Sequence, residues 1–168
     1  MDEMNEEKHL FEIVDRVRIA MLVTHGPTGI HARPLSLVER DATGRLWFFT
    51  GLSSGKVTEI EANPEVALTF QGERRFVSIS GSAEIEGDPA IVAGLFRESF
   101  RPWFPKGPSD PEAVGVCVTP KTAEFWDLSG THGLRYVFHA LTAVASGRRA
   151  GDVPGADYHG HVRFEDGG

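Results

Sequence analysis

Four side chains between positions 33 and 56 have the chemistry to hold an anion: the guanidinium of Arg33, the hydroxyls of Thr50 and Ser54, and the ammonium of Lys56. Lys56 opens a short helical segment, where backbone N–H groups without intrahelical partners and the positive end of the helix dipole favour negative charge. Gly51 and Gly55 flank that start and let a ligand approach the backbone closely. An arginine gives a forked contact and a lysine a point charge, a pairing suited to a phosphate monoester of charge near −2. The run Gly51-Leu52-Ser53-Ser54-Gly55-Lys56-Val57 is neither a Walker loop, being too short and lacking the terminal hydroxyl, nor a dinucleotide fingerprint. Spacing alone leaves a second reading open, in which Ser54 merely caps the helix and the two cations are solvated.

Other reactive side chains point less clearly. His159 and His161 lie two apart on a predicted strand and so share a face, but no carboxylate or cysteine nearby is expected to complete a recognisable metal set, and no metal is expected. His31 lies two residues before Arg33, on the same side of an extended arm; it is a candidate proton donor or an ordinary surface histidine. Cys117, the only cysteine, sits in the apolar run 114–118 with nothing to mark it as a nucleophile, and no Gly-x-Ser-x-Gly elbow occurs.

The elements that must position these groups follow from periodicity. Leu10, Ile13, Val14 and Val17 at i, i+3, i+4 and i+7 predict an amphipathic helix over about 7–19. A strand starts at 21–24, a turn falls at 27–29, and 30–39 reads as an arm carrying Arg33-Pro34-Leu35, irregular at the proline. A hairpin at 41–44 leads to the aromatic strand 46–50, then to a helix over 57–62 stopped by Asn63-Pro64. Strand 66–70 and a turn at 71–74 precede the cleanest signal: from Val77 to Glu86 odd positions are apolar or small and even ones are Ser or Glu. Asp88 and Pro89 open a helix predicted to run to about Arg101. A proline-rich loop over 103–111 follows, then a strand over 114–119 that resumes at 124–127 beyond Pro120, a helix over about 137–145 and a strand over 158–164. Six or seven mostly antiparallel strands with three or four peripheral helices predict a mainly β protein, a barrel with helices outside.

Composition bounds the partners. The chain has 168 residues with 40% hydrophobic and 24% charged, enough to bury about 70% of its unfolded surface without a staple, and one domain over 1–168 with frayed tails at 1–6 and 166–168 is expected. Seventeen basic against 24 acidic residues give −7, which disfavours nucleic acid. The acidic N-terminus does not resemble a secretory signal, and no apolar run approaches the roughly 18 residues of a membrane span; with the lone cysteine this predicts a cytoplasmic protein away from membranes.

Arg33-Pro34-Leu35, Leu46-Trp47-Phe48-Phe49-Thr50-Gly51, Ser54, Lys56 and Asn63-Pro64 together resemble the FMN-binding split-barrel flavoproteins related to pyridoxamine 5′-phosphate oxidase. Residues 77–84, the loop Trp103-Phe104-Pro105-Lys106-Gly107 with Asp110-Pro111, and Ala123-Glu124-Phe125-Trp126-Asp127 resemble that superfamily's general stress protein 26 branch, and the likeness covers about 8–165. The resemblance implies a six-stranded antiparallel split barrel forming a homodimer with FMN at the subunit interface. It implies that Arg33 and Lys56 hold the flavin phosphate with Thr50 and Ser54, that Pro34 and Leu35 line the ring with Phe49 packed nearby, and that Trp126 and Trp103 reach the flavin from the partner chain. For each tryptophan, core or interface packing is the alternative.

Departures matter equally. Val38 stands where the vitamin B6 oxidase has a lysine, and His159-Gly160-His161-Val162-Arg163 does not reproduce its C-terminal Arg-x-His element, so oxidation of a B6 phosphate is not expected. The resemblance implies a flavin-dependent oxidoreductase with an unknown small-molecule redox substrate. The alternatives are a non-catalytic flavin-binding or flavin-sensing protein, an FAD protein, and a reductase using deazaflavin F420, whose anionic tail would ask for a more basic surface.

Overall fold

The computed structural model describes residues 3–129, 141 and 159–164. Helix α1 (Glu3–Val17) is followed by strands β1 (Ile19–Gly26), β2 (Gly29–Arg40) and β3 (Leu46–Gly51), helix α2 (Gly55–Ala62), strands β4 (Glu65–Gly72) and β5 (Arg75–Glu86), helix α3 (Pro89–Leu95), and strands β6 (Ala113–Asp127) and β7 (His159–Arg163). All pairings are antiparallel, in the order β3-β2-β1-β4-β5-β6-β7, and a further β3–β6 pairing closes six strands into a ring with β7 outside it. The fold class expected from the sequence is the one observed.

β6 serves two neighbours because it changes partner along its length. Its first half pairs with β3, its second half with β7, and β5 runs along both. The β5–β6 register slips between Ser80 and Gly81, which face Thr122 and Pro120, leaving Lys121 as the extra residue. Pro120 has no N–H to give, so a bulge is the cheap way to keep the strand continuous. A Cβ on Gly81 would lie 2.2 Å from the Thr119 carbonyl oxygen, so the close approach there requires glycine. The predicted break at 120–123 is therefore a bulge inside one strand.

Two apolar clusters share β3. Leu46 and Phe48 point into the barrel with Leu22, Leu68, Phe70, Ile79, Val116 and Val118, and the α1 stripe of Leu10, Ile13 and Val14 joins them. Trp47 and Phe49 point outward, where α3 and the loop after it cover them with Val92, Leu95 and Phe104. A strand buried on both faces shows no alternation, which is why 46–50 is apolar throughout.

Helix boundaries differ from expectation. α1 begins earlier, at Glu3, and α2 begins at Gly55. α3 ends at Leu95, not near Arg101: its C-cap Phe96 is extended, with its ring 6.0 Å from Phe49, and only a 3₁₀ turn follows at 98–100. The predicted helix over 137–145 lies outside the described residues but for Leu141. No helix among the described residues is long and apolar enough to cross a membrane.

Candidate functional site

At one mouth of the barrel the inward faces turn from apolar to polar. On β1 the buried Leu22 is followed two residues on by the buried Thr24, and on β3 Phe48 is followed by the buried Thr50. Arg33 is the register partner of Leu22 and His31 that of Thr24. Directly opposed residues share a face of the sheet, so both β2 side chains turn toward this mouth. α2 crosses it with Val57, Glu59 and Ile60 buried, and the i, i+3 spacing puts Lys56 and Glu59 on one face.

Lys56 Nζ donates to Thr50 Oγ1 at 2.9 Å and to Ser54 Oγ at 2.5 Å. Ser54 occupies the N-cap position of α2 but makes no side-chain cap bond; its hydroxyl is spent on Lys56. Both halves of the simpler reading, a capping serine and solvated cations, are thus absent. Among the described residues no carboxylate pairs directly with Lys56. Burial pushes the Lys56 ammonium below the ordinary lysine range, the nearby Arg33 charge adds to that, and Glu59 opposes it. A Cβ on Gly55 would meet nothing within 4 Å, so the start of α2 is open. The preceding loop is held by Glu112, whose carboxylate accepts from the Ser53 N–H at 3.0 Å.

Arg33 donates through Nη2 to Glu59 Oε2 at 2.6 Å and through Nη1 to Thr24 Oγ1. Thr24 donates to Glu59 Oε2 at 2.5 Å, and His31 Nδ1 donates to Glu59 Oε1 at 2.6 Å. Hydrogen bonds from Thr24 and His31, joined by Arg33, outweigh burial and hold the Glu59 carboxyl at about 2. The mouth therefore carries two cations, the ionised Glu59 and an open helix N-terminus, with Glu112 committed to the loop before it, a set whose free donors suit a phosphate.

Arg33, Thr50, Ser54 and Lys56 are brought together, and the other sequence-predicted site residues lie apart within one chain. Pro34 turns to the opposite face of β2, opposite the partly exposed Met21, while Leu35 pairs with Ala20 and packs against the main core. Phe49 is buried, with its ring 4.9 Å from Phe100 and 5.0 Å from Phe104. Trp126 is opposite Phe76 on β5 and lies flat on His159, with ring centres 5.0 Å apart and planes 4° apart. Trp103 is 74% exposed on the loop after α3.

Sequence reasoning did not find Thr24, Glu59 or Glu112. Glu59 had a faint signal in its spacing from Lys56; Thr24 and Glu112 had none, because only strand register and loop packing bring them in. A carboxylate near the C-terminal histidines was missed in the same way: Glu124, register partner of His161, lies 3.2 Å from His159 and 3.8 Å from His161. Among the described residues no group of three or more His, Cys, Asp or Glu is arranged to hold a metal ion. Burial pushes the Cys117 thiol up to about 11, leaving it protonated at neutral pH.

Residues 5–151 match the family model described as pyridoxamine 5′-phosphate oxidase like. Among solved structures, the general stress FMN/FAD binding protein of Xanthomonas citri is 28% identical, with 74% of this chain and 89% of that one covered at a TM-score of 0.64. The general stress protein 26 of Bacillus anthracis is 25% identical over 72% of this chain and 92% of that one, with a TM-score of 0.63. A Clostridium acetobutylicum protein related to general stress protein 26 is 22% identical over 76% and 91%, with a TM-score of 0.66, a likeness of fold. No curated protein matches the sequence.

Proposed function

The chain belongs to the pyridoxamine 5′-phosphate oxidase like family, and on that premise we propose that it binds FMN at the barrel mouth and acts as a flavin-dependent oxidoreductase. The observation that carries this reading is Lys56, an ammonium drawn out of water beside Arg33 and anchored on two hydroxyls, with no carboxylate among the described residues paired to it. Gathering like charges costs free energy that a bound dianion would recover. Arg33 and Lys56 hold the phosphate, Thr50 and Ser54 fix the ammonium, and the open start of α2 adds its dipole. A phosphate monoester matches this set better than the pyrophosphate diester of FAD, whose charge is spread over two groups. A bound flavin supplies hydride or electron transfer, and the protein binds and orients it.

The ring needs a second wall, and the reading supplies it from a second copy of the chain. In support, the outward face of β1 and the hairpin after it expose Ile19 at 58% and Ile30 at 71%, beside Met21 and Pro34. Trp126, half-buried, and Trp103, exposed, lie outside both apolar clusters and are the aromatic groups this reading has a partner bring. A homodimer in the cytoplasm, with a small redox substrate, completes the reading. The test is fluorescence titration of apoprotein with FMN and riboflavin, then stopped-flow mixing of the holoprotein with NADH and NADPH followed by air. Preference for FMN with rapid reduction and reoxidation supports the reading. Equal affinity for both flavins contradicts the phosphate site, and a flavin inert to both donors contradicts the oxidoreductase.

A further inference from the structure

Arg33 is not a free cation waiting at the mouth; its guanidinium is already held along one side. Of its five N–H groups, one on Nη1 goes to Thr24 and one on Nη2 to Glu59, which leaves the Nε–H and one hydrogen on each Nη for a ligand. Glu59 is buried, and a buried carboxylate beside an anion site opposes the anion unless it does something else there. What it does is legible in its own partners. Oε2 accepts from Arg33 and Thr24, and Oε1 accepts from His31 Nδ1, so the carboxylate is held at both ends. The His31 ring reaches it across Gly26: a Cβ at that position would lie 2.5 Å from two ring atoms and 3.0 Å from Glu59 Oε1. Thr28 Oγ1, 3.2 Å from Nε2, fixes the far side of the ring.

We infer that His31 and Glu59 are positioning residues for the phosphate site, His31 fixing Glu59 and Glu59 fixing the Arg33 guanidinium so that its remaining donors face the ligand. The inference rests on the phosphate-site reading above. It gives His31 a role distinct from proton donation: its Nδ1 proton is committed to Glu59, and its effect reaches the ligand through two other side chains. It also explains why β1 ends on a glycine at 26, since any side chain there would displace the ring.

The test uses the full chain, titrated with FMN and with riboflavin. His31 is partly exposed at a hairpin end, so His31→Ala is expected to fold; it should weaken FMN about tenfold, the worth of one misplaced charge-assisted contact, and leave riboflavin within about twofold. His31→Asn, whose amide nitrogen takes the place of Nδ1, should restore most of the FMN affinity. Glu59→Gln provides a second arm: lost positioning weakens FMN, whereas simple removal of a repelling charge would tighten it. The inference is overturned if His31→Ala binds FMN like the unsubstituted protein, if it loses both flavins equally, if His31→Asn fails to rescue, or if Glu59→Gln tightens FMN. Absence of any FMN preference in the unsubstituted protein is a different result, which removes the phosphate site itself and this inference with it.

Discussion

Glu59 and Asp127 are built from the same parts. Each is a buried carboxylate that accepts from an arginine, a histidine and a hydroxyl: Arg33, His31 and Thr24 for the one, Arg75, His9 and Ser129 for the other. Burial pushes Asp127 up, but hydrogen bonds from Ser129 and Arg75 outweigh it and hold that carboxyl at about 2, where Glu59 also sits. Their surroundings differ. Asp127 joins α1 through His9 to the β5–β6 pair, and Arg75 is the guanidinium that donates to it. Beside Glu59 stand a second cation, Lys56, and an open helix start. On the proposed reading, the Asp127 cluster ties elements of the fold together, whereas the Glu59 cluster orients a cation toward an anion.

The largest expected effect separates the two clusters by ligand affinity. Arg33→Ala should weaken FMN about a hundredfold, and Lys56→Ala about tenfold, because charge-assisted hydrogen bonds are worth about 1.5–3 kcal/mol each. Riboflavin affinity should stay within about twofold in both. Asp127→Ala should do the reverse, lowering stability by about 2 kcal/mol, or about 5 °C in thermal midpoint, with FMN affinity unchanged. Parallel losses of stability and affinity in either cluster would erase the distinction.

A smaller effect is common to both carboxylates. Each has its folded pKa lowered below the unfolded value of about 4, so each contributes stability above that value that is lost as pH falls toward about 2. Melting temperature should drop across that window, and Asp127→Asn should flatten the drop. The smallest effect belongs to Lys56: because its ammonium is lowered below 10.5, FMN affinity should begin to fall at alkaline pH before an ordinary lysine titrates. A flat FMN affinity up to pH 10.5 would show that the ammonium does not contact the phosphate.

How much of this was legible depended on whether the groups are neighbours in sequence or only in space. Thr50, Ser54 and Lys56 fall within one strand-to-helix connection, so their convergence was readable, and the alternation over 77–86 gave β5 directly. Glu59 and Thr24 meet Arg33 only because α2 folds over the mouth and β1–β2 register sets Thr24 against His31. Register is likewise what puts Glu124 beside the two C-terminal histidines. α3 was read too long because its stop is tertiary: Phe96 leaves the helix for the cluster around Phe49, and the one glycine near the end, Gly94, lies inside the last turn and not after it.

The central claim is that the barrel mouth holds a phosphate, and a crystal structure of the protein with FMN tests it most directly. The expected result places the phosphate within hydrogen-bonding distance of Arg33 and Lys56 at the start of α2, with the Arg33–Glu59 pair intact behind it. FMN bound with its phosphate elsewhere, or bound there only after Arg33 abandons Glu59, would contradict the account.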